Sequence, residues 1–228
     1  PQKTYYDFSK DLFPKLLAEK IPIYACVLDG YWKDVGTLQE YRYCHYDVID
    51  KKVDLYVEGK DVEYEGSKIV VGESTTIGER FKCDNLVIIG KNTKIGNNVN
   101  INRSVIGDNC VIEDGAVIFG SVIMNNVYIG KNTSVKESII GASNKIGNNV
   151  VIEVNTVIGE ECVIENGAHL KANIKIWPKK TVEEGATVST SLIWQDKWSR
   201  ILFGSAGVTG LLNSEVSPEF ACKLGAAF

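Results

Sequence analysis

Two histidines, one methionine and five prolines are all that 228 residues contain of those types. The histidines, His45 and His169, are far apart, and none of the six cysteines forms a CxxC pair. A zinc site therefore has no ligand set to start from. Scattered single cysteines fit a reduced compartment, so the expected location is cytoplasmic. No apolar run approaches the roughly 18 residues that a membrane-spanning helix needs, and no secretory pattern is visible. There is no long basic run, and the net charge is −4. Nucleic acid and anionic membranes are thus poor candidate partners. What the chain does have is apolar residues, 44% of the total, enough for a substantial core.

Those apolar residues recur every six positions. One series runs Val71, Ile77, Cys83, Ile89, Ile95, Ile101; a second Ile106, Ile112, Ile118; a third Ile123, Ile129, Val135; and a last one from Ile140 through Val188. A helix would show a period of 3.6 and a simple sheet a period of two. A sustained period of six predicts instead a triangular coil with one short strand per side. Small or β-branched residues such as Val99, Cys110, Ala116, Val150, Cys162 and Ala168 stand four positions after each slot. Corners call for a left-handed backbone, which Gly and Asn tolerate best. The sequence supplies Lys91-Asn92, Asn97-Asn98, Asp108-Asn109, Lys131-Asn132, Asn148-Asn149 and Asn166-Gly167. The jumps between series are five residues long and recur every 17 at matching words: Ser104-Val105-Ile106, Ser121-Val122-Ile123 and Ser138-Ile139-Ile140. These three serines are predicted to stack. Ser191-Leu192-Ile193 closes the last series. Residues 71–193 then hold roughly seven coils, a prism on the order of 30 Å long at ~4.8 Å per strand.

The flanks read differently. Ser9 can cap a helix through about Glu19, residues 23–28 and 31–35 read as the strands of a hairpin turning at Asp29-Gly30, and Thr37-Leu38-Gln39-Glu40 is a capping box opening a helix to about Ile49. Residues 51–70 read as a linker or cap. The expected organisation is thus 1–50, 51–70, 71–193 and 194–228, mainly β, with a small α/β N-terminal flank and a short α-containing C-terminal tail. Pro1 and Phe228 both suggest a piece cut from a longer polypeptide.

Three stretches resemble known families. The six-residue repeat resembles the hexapeptide-repeat family, whose parallel β-helices are left-handed. Phe13-Pro14-Lys15-Leu16-Leu17, followed by Leu28-Asp29-Gly30-Tyr31-Trp32-Lys33-Asp34-Val35-Gly36-Thr37, is similar to the end of a sugar-1-phosphate nucleotidyltransferase domain of the mannose-1-phosphate guanylyltransferase type. That resemblance implies that Asp34 is a ligand of the catalytic Mg2+; the bland alternative is a solvated hairpin carboxylate. The Gly-rich nucleotide loop of that family is not found in this sequence, so no complete catalytic or cofactor-binding set is expected here. Phe203-Gly204-Ser205-Ala206-Gly207-Val208-Thr209-Gly210 and Ser217-Pro218-Glu219-Phe220 resemble the opening of a phosphomannomutase/phosphoglucomutase domain, although Thr209 stands where an Arg usually helps hold phosphate.

By these resemblances the chain is expected to be the β-helix portion of a nucleotidyltransferase. The full-length enzyme would make a nucleotide sugar, with GDP-mannose from GTP and mannose 1-phosphate as the leading case. Its partners would be a nucleoside triphosphate and a sugar 1-phosphate, and the β-helix would support homo-oligomerisation and regulation. The portion alone would be inactive. One alternative is a noncatalytic assembly or regulatory subunit. The other is a hexapeptide-repeat acyltransferase, whose general base would have to be His169, which is read as a corner residue with no acidic partner in an obvious motif.

Overall fold

A short strand whose every second residue is buried cannot stand alone; it needs a neighbour above and below. The repeat meets this need by stacking copies of itself. The computed structural model describes residues 6–64, 66–84 and 86–193. It shows a left-handed parallel β-helix with three faces. The first face stacks Ser67–Val71, Val87–Ile89, Val105–Ile106, Val122–Ile123, Ile139–Ile140, Val157–Ile158 and Lys175–Ile176. The second carries seven short strands from Thr76–Ile77 to Thr181–Val182, and the third six from Asn100–Asn102 to Thr187–Val188. The slot residues face inward: Ile89, Ile101, Ile106, Ile112, Ile118, Ile123, Ile129, Ile140, Ile146 and Ile152 are all essentially inaccessible. Each such side chain contributes about 1.5–3 kcal/mol by leaving water.

The corners are as the sequence predicts. Asn92, Asn98, Asn109, Asn132 and Asn149 all have φ between 54° and 56°, and Gly167 has φ 67°. Corner Asx side chains also tie coil to coil: Asp114 Oδ1 accepts from Asn97 N at 2.8 Å, and Asn148 Oδ1 from Lys131 N at 2.8 Å. The Gly that often follows a slot has a packing reason, because a Cβ on Gly96 would lie 2.7 Å from the backbone N of Asp114.

The register confirms the short corner. Ile89 pairs with Ile106, Ile106 with Ile123 and Ile123 with Ile140, 17 residues on each time; Ile140 then pairs with Ile158 and Ile158 with Ile176, 18 on. Ser104, Ser121 and Ser138 form a buried column in which Ser104 Oγ accepts from Ser121 N at 3.0 Å and Ser121 Oγ from Ser138 N at 3.1 Å. The later word is shifted by one residue: Leu192, and not Ile193, bridges to the slot residue Ile176, so Ser191 lies over Lys175, whose N donates to Ser191 Oγ at 2.9 Å, and does not extend the serine column.

Before the prism, a π-helical turn Phe8–Leu12 runs into α1 (Phe13–Ala18), and α2 spans Leu38–Ile49. The first helical stretch is capped by Asp7, whose Oδ1 accepts from Ser9 N and Lys10 N at 2.8 Å each, and not by Ser9. An aspartate takes two donors there where a serine hydroxyl takes one. The α2 start is where predicted, with Thr37 Oγ1 accepting from Glu40 N at 3.1 Å, but only this half of the capping box forms among the described residues: the Glu40 carboxylate lies 3.5 Å from Lys33 Nζ. Residues 23–28 and 31–35 do not form strands. Most of their apolar side chains stand in solvent, Val27 90%, Leu28 85% and Trp32 84% exposed. A two-stranded hairpin is marginal alone in water, and among the described residues no third strand lies beside it. So the flank is helical with an extended, irregular connector.

The stretch 51–70 contains a strand, β1 (Lys60–Tyr64), paired antiparallel with β2 (Ser67–Val71), the first strand of the prism. β1 thereby covers an edge that would otherwise expose unpaired backbone groups. At the same end Phe81 is fully buried and packs edge-on against Tyr64, ring centroids 5.3 Å apart. Among the described residues no helix is long and apolar enough to cross a membrane. The expected tail helix and mutase-like opening lie outside the described residues.

Candidate functional site

α2 is the element that organises the candidate site. Its sequence places Leu38, Arg42, Tyr46 and Ile49 along one stripe, four, four and three residues apart, which puts them on one face of a helix. That face lies along the short corner of the β-helix. Arg42 is 2% exposed; its Nη2 donates to Asn155 Oδ1 at 3.0 Å and lies 3.5 Å from Glu137 Oε2. Its Nε and Nη1 are buried without hydrogen-bond partners among the described residues, and the guanidinium sits 5.7 and 5.8 Å from the ring centroids of Tyr43 and Tyr46. Tyr46 donates to the carbonyl of Gly120, and burial raises its hydroxyl pKa. Arg103 donates to Asp50 at 2.9 Å and lies 4.7 Å from the Tyr46 ring centroid.

The opposite side of α2 holds the connector that carries Asp34. Asp47 is 8% exposed. Its Oδ2 accepts from Tyr31 Oη at 2.9 Å and Lys33 Nζ at 2.8 Å, and its Oδ1 accepts from Lys52 Nζ at 3.0 Å. The two ammonium groups hold the Asp47 carboxyl well below the usual carboxylate range. Loss of surrounding solvent, then the hydrogen bonds toward Asp47 and Cys44, push the Tyr31 hydroxyl up to about 12. Hydrogen bonding to Asp47 raises Lys33. Each charged group here is stabilised by the others, as charge-assisted bonds require.

Asp34 follows directly. It is exposed, and its carboxylate forms no ion pair or hydrogen bond with another described residue. The donor chemistry fits a hard cation, since Mg2+ is held by one or two carboxylates and leaves its other positions to water and phosphate oxygens. Among the described residues, no group of three His, Cys, Asp or Glu side chains converges that could hold a metal ion. Asp34 would be one ligand and not a cage.

The histidines are placed as follows. His45 is half-buried, its Nδ1 2.9 Å from Tyr41 O. His169 lies on the strand His169–Leu170 and not at a corner. It has an acidic partner that its sequence neighbourhood did not reveal: Nε2 is 2.6 Å from Glu153 Oε1, which Lys171 Nζ also reaches at 3.2 Å. Glu153 precedes His169 by 16 residues, close to one coil, so stacking makes them neighbours. The His169 contact is the main cause lowering the Glu153 pKa. Sequence reasoning also missed Arg42 and Asp47; a charged Arg inside an otherwise apolar helical stripe was the signal available for the first.

Comparison with known proteins matches two stretches of the chain. Residues 1–51 match the family model described as nucleotidyl transferase. Residues 60–170 match the one described as EIF2B subunit epsilon LbH domain. Among curated proteins, the chain is 34% identical over 129 residues to a UTP--glucose-1-phosphate uridylyltransferase of Synechocystis, covering 54% of this chain and 32% of that protein. It is 30% identical over 127 residues to a glucose-1-phosphate adenylyltransferase of Desulfitobacterium hafniense, 55% of this chain and 30% of that protein. A glucose-1-phosphate adenylyltransferase of Clostridioides difficile matches at 31% over 132 residues, 56% and 32% respectively. The chain spans about a third of the length of these curated relatives.

Proposed function

We propose that this chain is the β-helix portion of a sugar-1-phosphate nucleotidyltransferase that forms a nucleotide sugar in the complete protein. The observation that carries the reading is Asp34: an exposed carboxylate without a partner among the described residues, on a connector anchored to a helix seated on the prism, inside the stretch that matches the nucleotidyl transferase family. In such a reaction a sugar-phosphate oxygen attacks the α-phosphate of the nucleotide in line, and pyrophosphate leaves. Mg2+, when bound, would neutralise phosphate charge. Asp34 would hold it, Tyr31 and Lys33 would fix the connector, and the β-helix would carry no chemistry. It would instead join copies of the protein into a homo-oligomer. The Trp32-Lys33-Asp34-Val35-Gly36-Thr37 word favours GTP and mannose 1-phosphate; the relatives, by their names, favour glucose 1-phosphate with UTP or ATP.

The test is pyrophosphate release by the complete protein, with GTP, UTP and ATP each offered against mannose and glucose 1-phosphates. We expect turnover with one of these pairs and a loss of at least about 100-fold in Asp34→Asn with folding intact, as for removal of a group that stabilises developing charge. Unchanged turnover in that variant would remove the metal role. No turnover with any pair would favour a second reading, a noncatalytic assembly subunit, for which the match of residues 60–170 to a subunit's LbH domain speaks.

A further inference from the structure

Two sets of contacts share α2, and together they tie the Asp34 connector to the β-helix. On the prism side, the partners of α2 are Arg103, Gly120, Glu137 and Asn155. These are not scattered surface groups. They are the left-handed corner residues, φ 46°, 56°, 42° and 58°, of four successive coils at the same corner. For a non-glycine residue that backbone is strained, and at Arg103 and Glu137 the side chain reaches from it to α2. The seat has no slack. A Cβ at Gly120 would lie 2.7 Å from the Tyr46 hydroxyl, so α2 fits one register on the corner.

On the other side, Asp47 gathers Tyr31, Lys33 and Lys52. Tyr31 and Lys33 alternate with Trp32 and immediately precede Asp34. Both side chains reach Asp47 and so share one side of the connector, whereas Trp32 between them is 84% exposed. Lys33 Nζ also lies 3.5 Å from Glu40 Oε2 on the same helix; holding both side chains against α2, with Asp47 the carboxylate common to the two, fixes the direction in which the adjoining Asp34 presents its own.

We propose that Asp47 is a positioning residue for Asp34, and that the short corner of the β-helix, acting through α2 and Asp47, aims the Asp34 carboxylate. This rests on the reading of Asp34 as a metal-binding carboxylate. Asp47 touches no reacting group; it acts through Tyr31 and Lys33. The residue type matters, because a carboxylate offers two acceptor oxygens to three donors, two of them cations. Asn in its place would present one oxygen and turn an NH2 toward an ammonium group. A catalytic part otherwise attached only by an irregular connector is in this way referenced to a rigid prism, which supplies the outer support that a precisely placed ligand needs.

The test uses the complete protein and two readouts that do not depend on turnover: hydrogen exchange of residues 30–36, and binding of Mn2+ alone followed by its electron paramagnetic resonance signal. In Asp47→Asn we expect exchange in 30–36 to rise at least about tenfold while the coils from 105 to 176 keep their protection, and Mn2+ to bind roughly 10–100-fold more weakly, the range seen when a metal ligand loses its support. Asp47→Glu, which restores charge and both oxygens, should recover part of both. Unchanged exchange in 30–36 of folded Asp47→Asn overturns the proposal. If Asp47→Asn does not fold, Arg42→Lys carries the test: it loosens the seat without touching Asp47, and protection of 30–36 left intact there overturns it. Asp34→Asn separates the two ideas. Mn2+ binding unaffected by Asp34→Asn sinks the metal reading alone, whereas the exchange result for Asp47→Asn decides the tether whatever Asp34 does.

Discussion

Gly120 is a residue at which α2 rests directly on the backbone of the β-helix. Its φ is 56°, and its carbonyl accepts from Tyr46. A methyl group there costs about 1 kcal/mol for the left-handed backbone and must also displace the Tyr46 hydroxyl, 2.7 Å from where Cβ would stand. Gly120→Ala should thus lower stability by about 1–3 kcal/mol in urea unfolding. The same change in a Tyr46→Ala background should cost less, since the clash is gone and contacting residues do not add. Equal costs in both backgrounds would mean that α2 does not press on this corner. His169 is the contrasting residue. Its contact with Glu153 is short, but the two side chains are 31% and 35% exposed, and a pair so open to water is worth little.

α2 carries the main dependence on pH. The folded pKa of Asp47 lies below its ordinary value, so the stability it contributes is fully present above about pH 4, the unfolded value, and is lost as pH falls through the lower folded value. Tyr31, Lys33 and Lys52 are raised, so their contribution is present below about pH 10 and fades only above it. Between those limits the cluster is indifferent to pH. Asp47→Asn is expected to cost about 1.5–3 kcal/mol from pH 5 to 9, the worth of hydrogen bonds to a charged group, and the gap from wild type should shrink below pH 4. A gap that is unchanged at pH 3 would place the stabilising charge elsewhere. Why α2 was only half legible in the sequence follows from distance along the chain. Its cap is local, Thr37 accepting from Glu40 N, and so is legible, whereas the Glu40 carboxylate turns to Lys33. Its seat joins Arg42 to Glu137 and Asn155, 95 and 113 residues away, and nothing in the helix names those partners. The same logic explains residues 23–28 and 31–35. Alternation and a turn predict strands, but a strand exists only beside another, and none lies there among the described residues. The prism was legible because each coil repeats the instruction of the last: an Ile in the slot, Asn or Gly at the corner, and Ser104, Ser121 and Ser138 marking the shortened side.

A solenoid is held together by contacts between neighbouring coils, so its stability is close to a sum along one dimension. Such a molecule has to be closed at its ends, and the N-terminal closure is visible in the residues. Later coils place Val99, Ala116, Thr133, Val150 and Ala168 at the buried position before the third-face strands, whereas the first coil places Phe81 there. The larger ring fills the space that a preceding coil would otherwise occupy, Tyr64 of β1 packs edge-on against it, and β1 covers the edge of β2. Phe81→Ala should cost about 3–5 kcal/mol, as for other buried aromatics, but the loss should stay local. Hydrogen exchange is expected to rise across residues 67–90 and to remain near wild type from residue 122 to residue 176, because an end coil can fray without unstacking the coils beyond it. A domain that unfolds all at once would lose protection everywhere together. That result would mean the coils are coupled beyond their nearest neighbours, and α2, whose contacts run from Arg103 to Asn155 across four coils, is the element in a position to couple them. Repeating the exchange measurement on Phe81→Ala combined with Arg42→Ala separates the cases: the extent of the loss is unchanged by the second substitution if the coils alone set the limit of fraying, and a loss that had spread across Arg103 through Asn155 draws back toward residues 67–90 if α2 had been clamping those four coils as a unit.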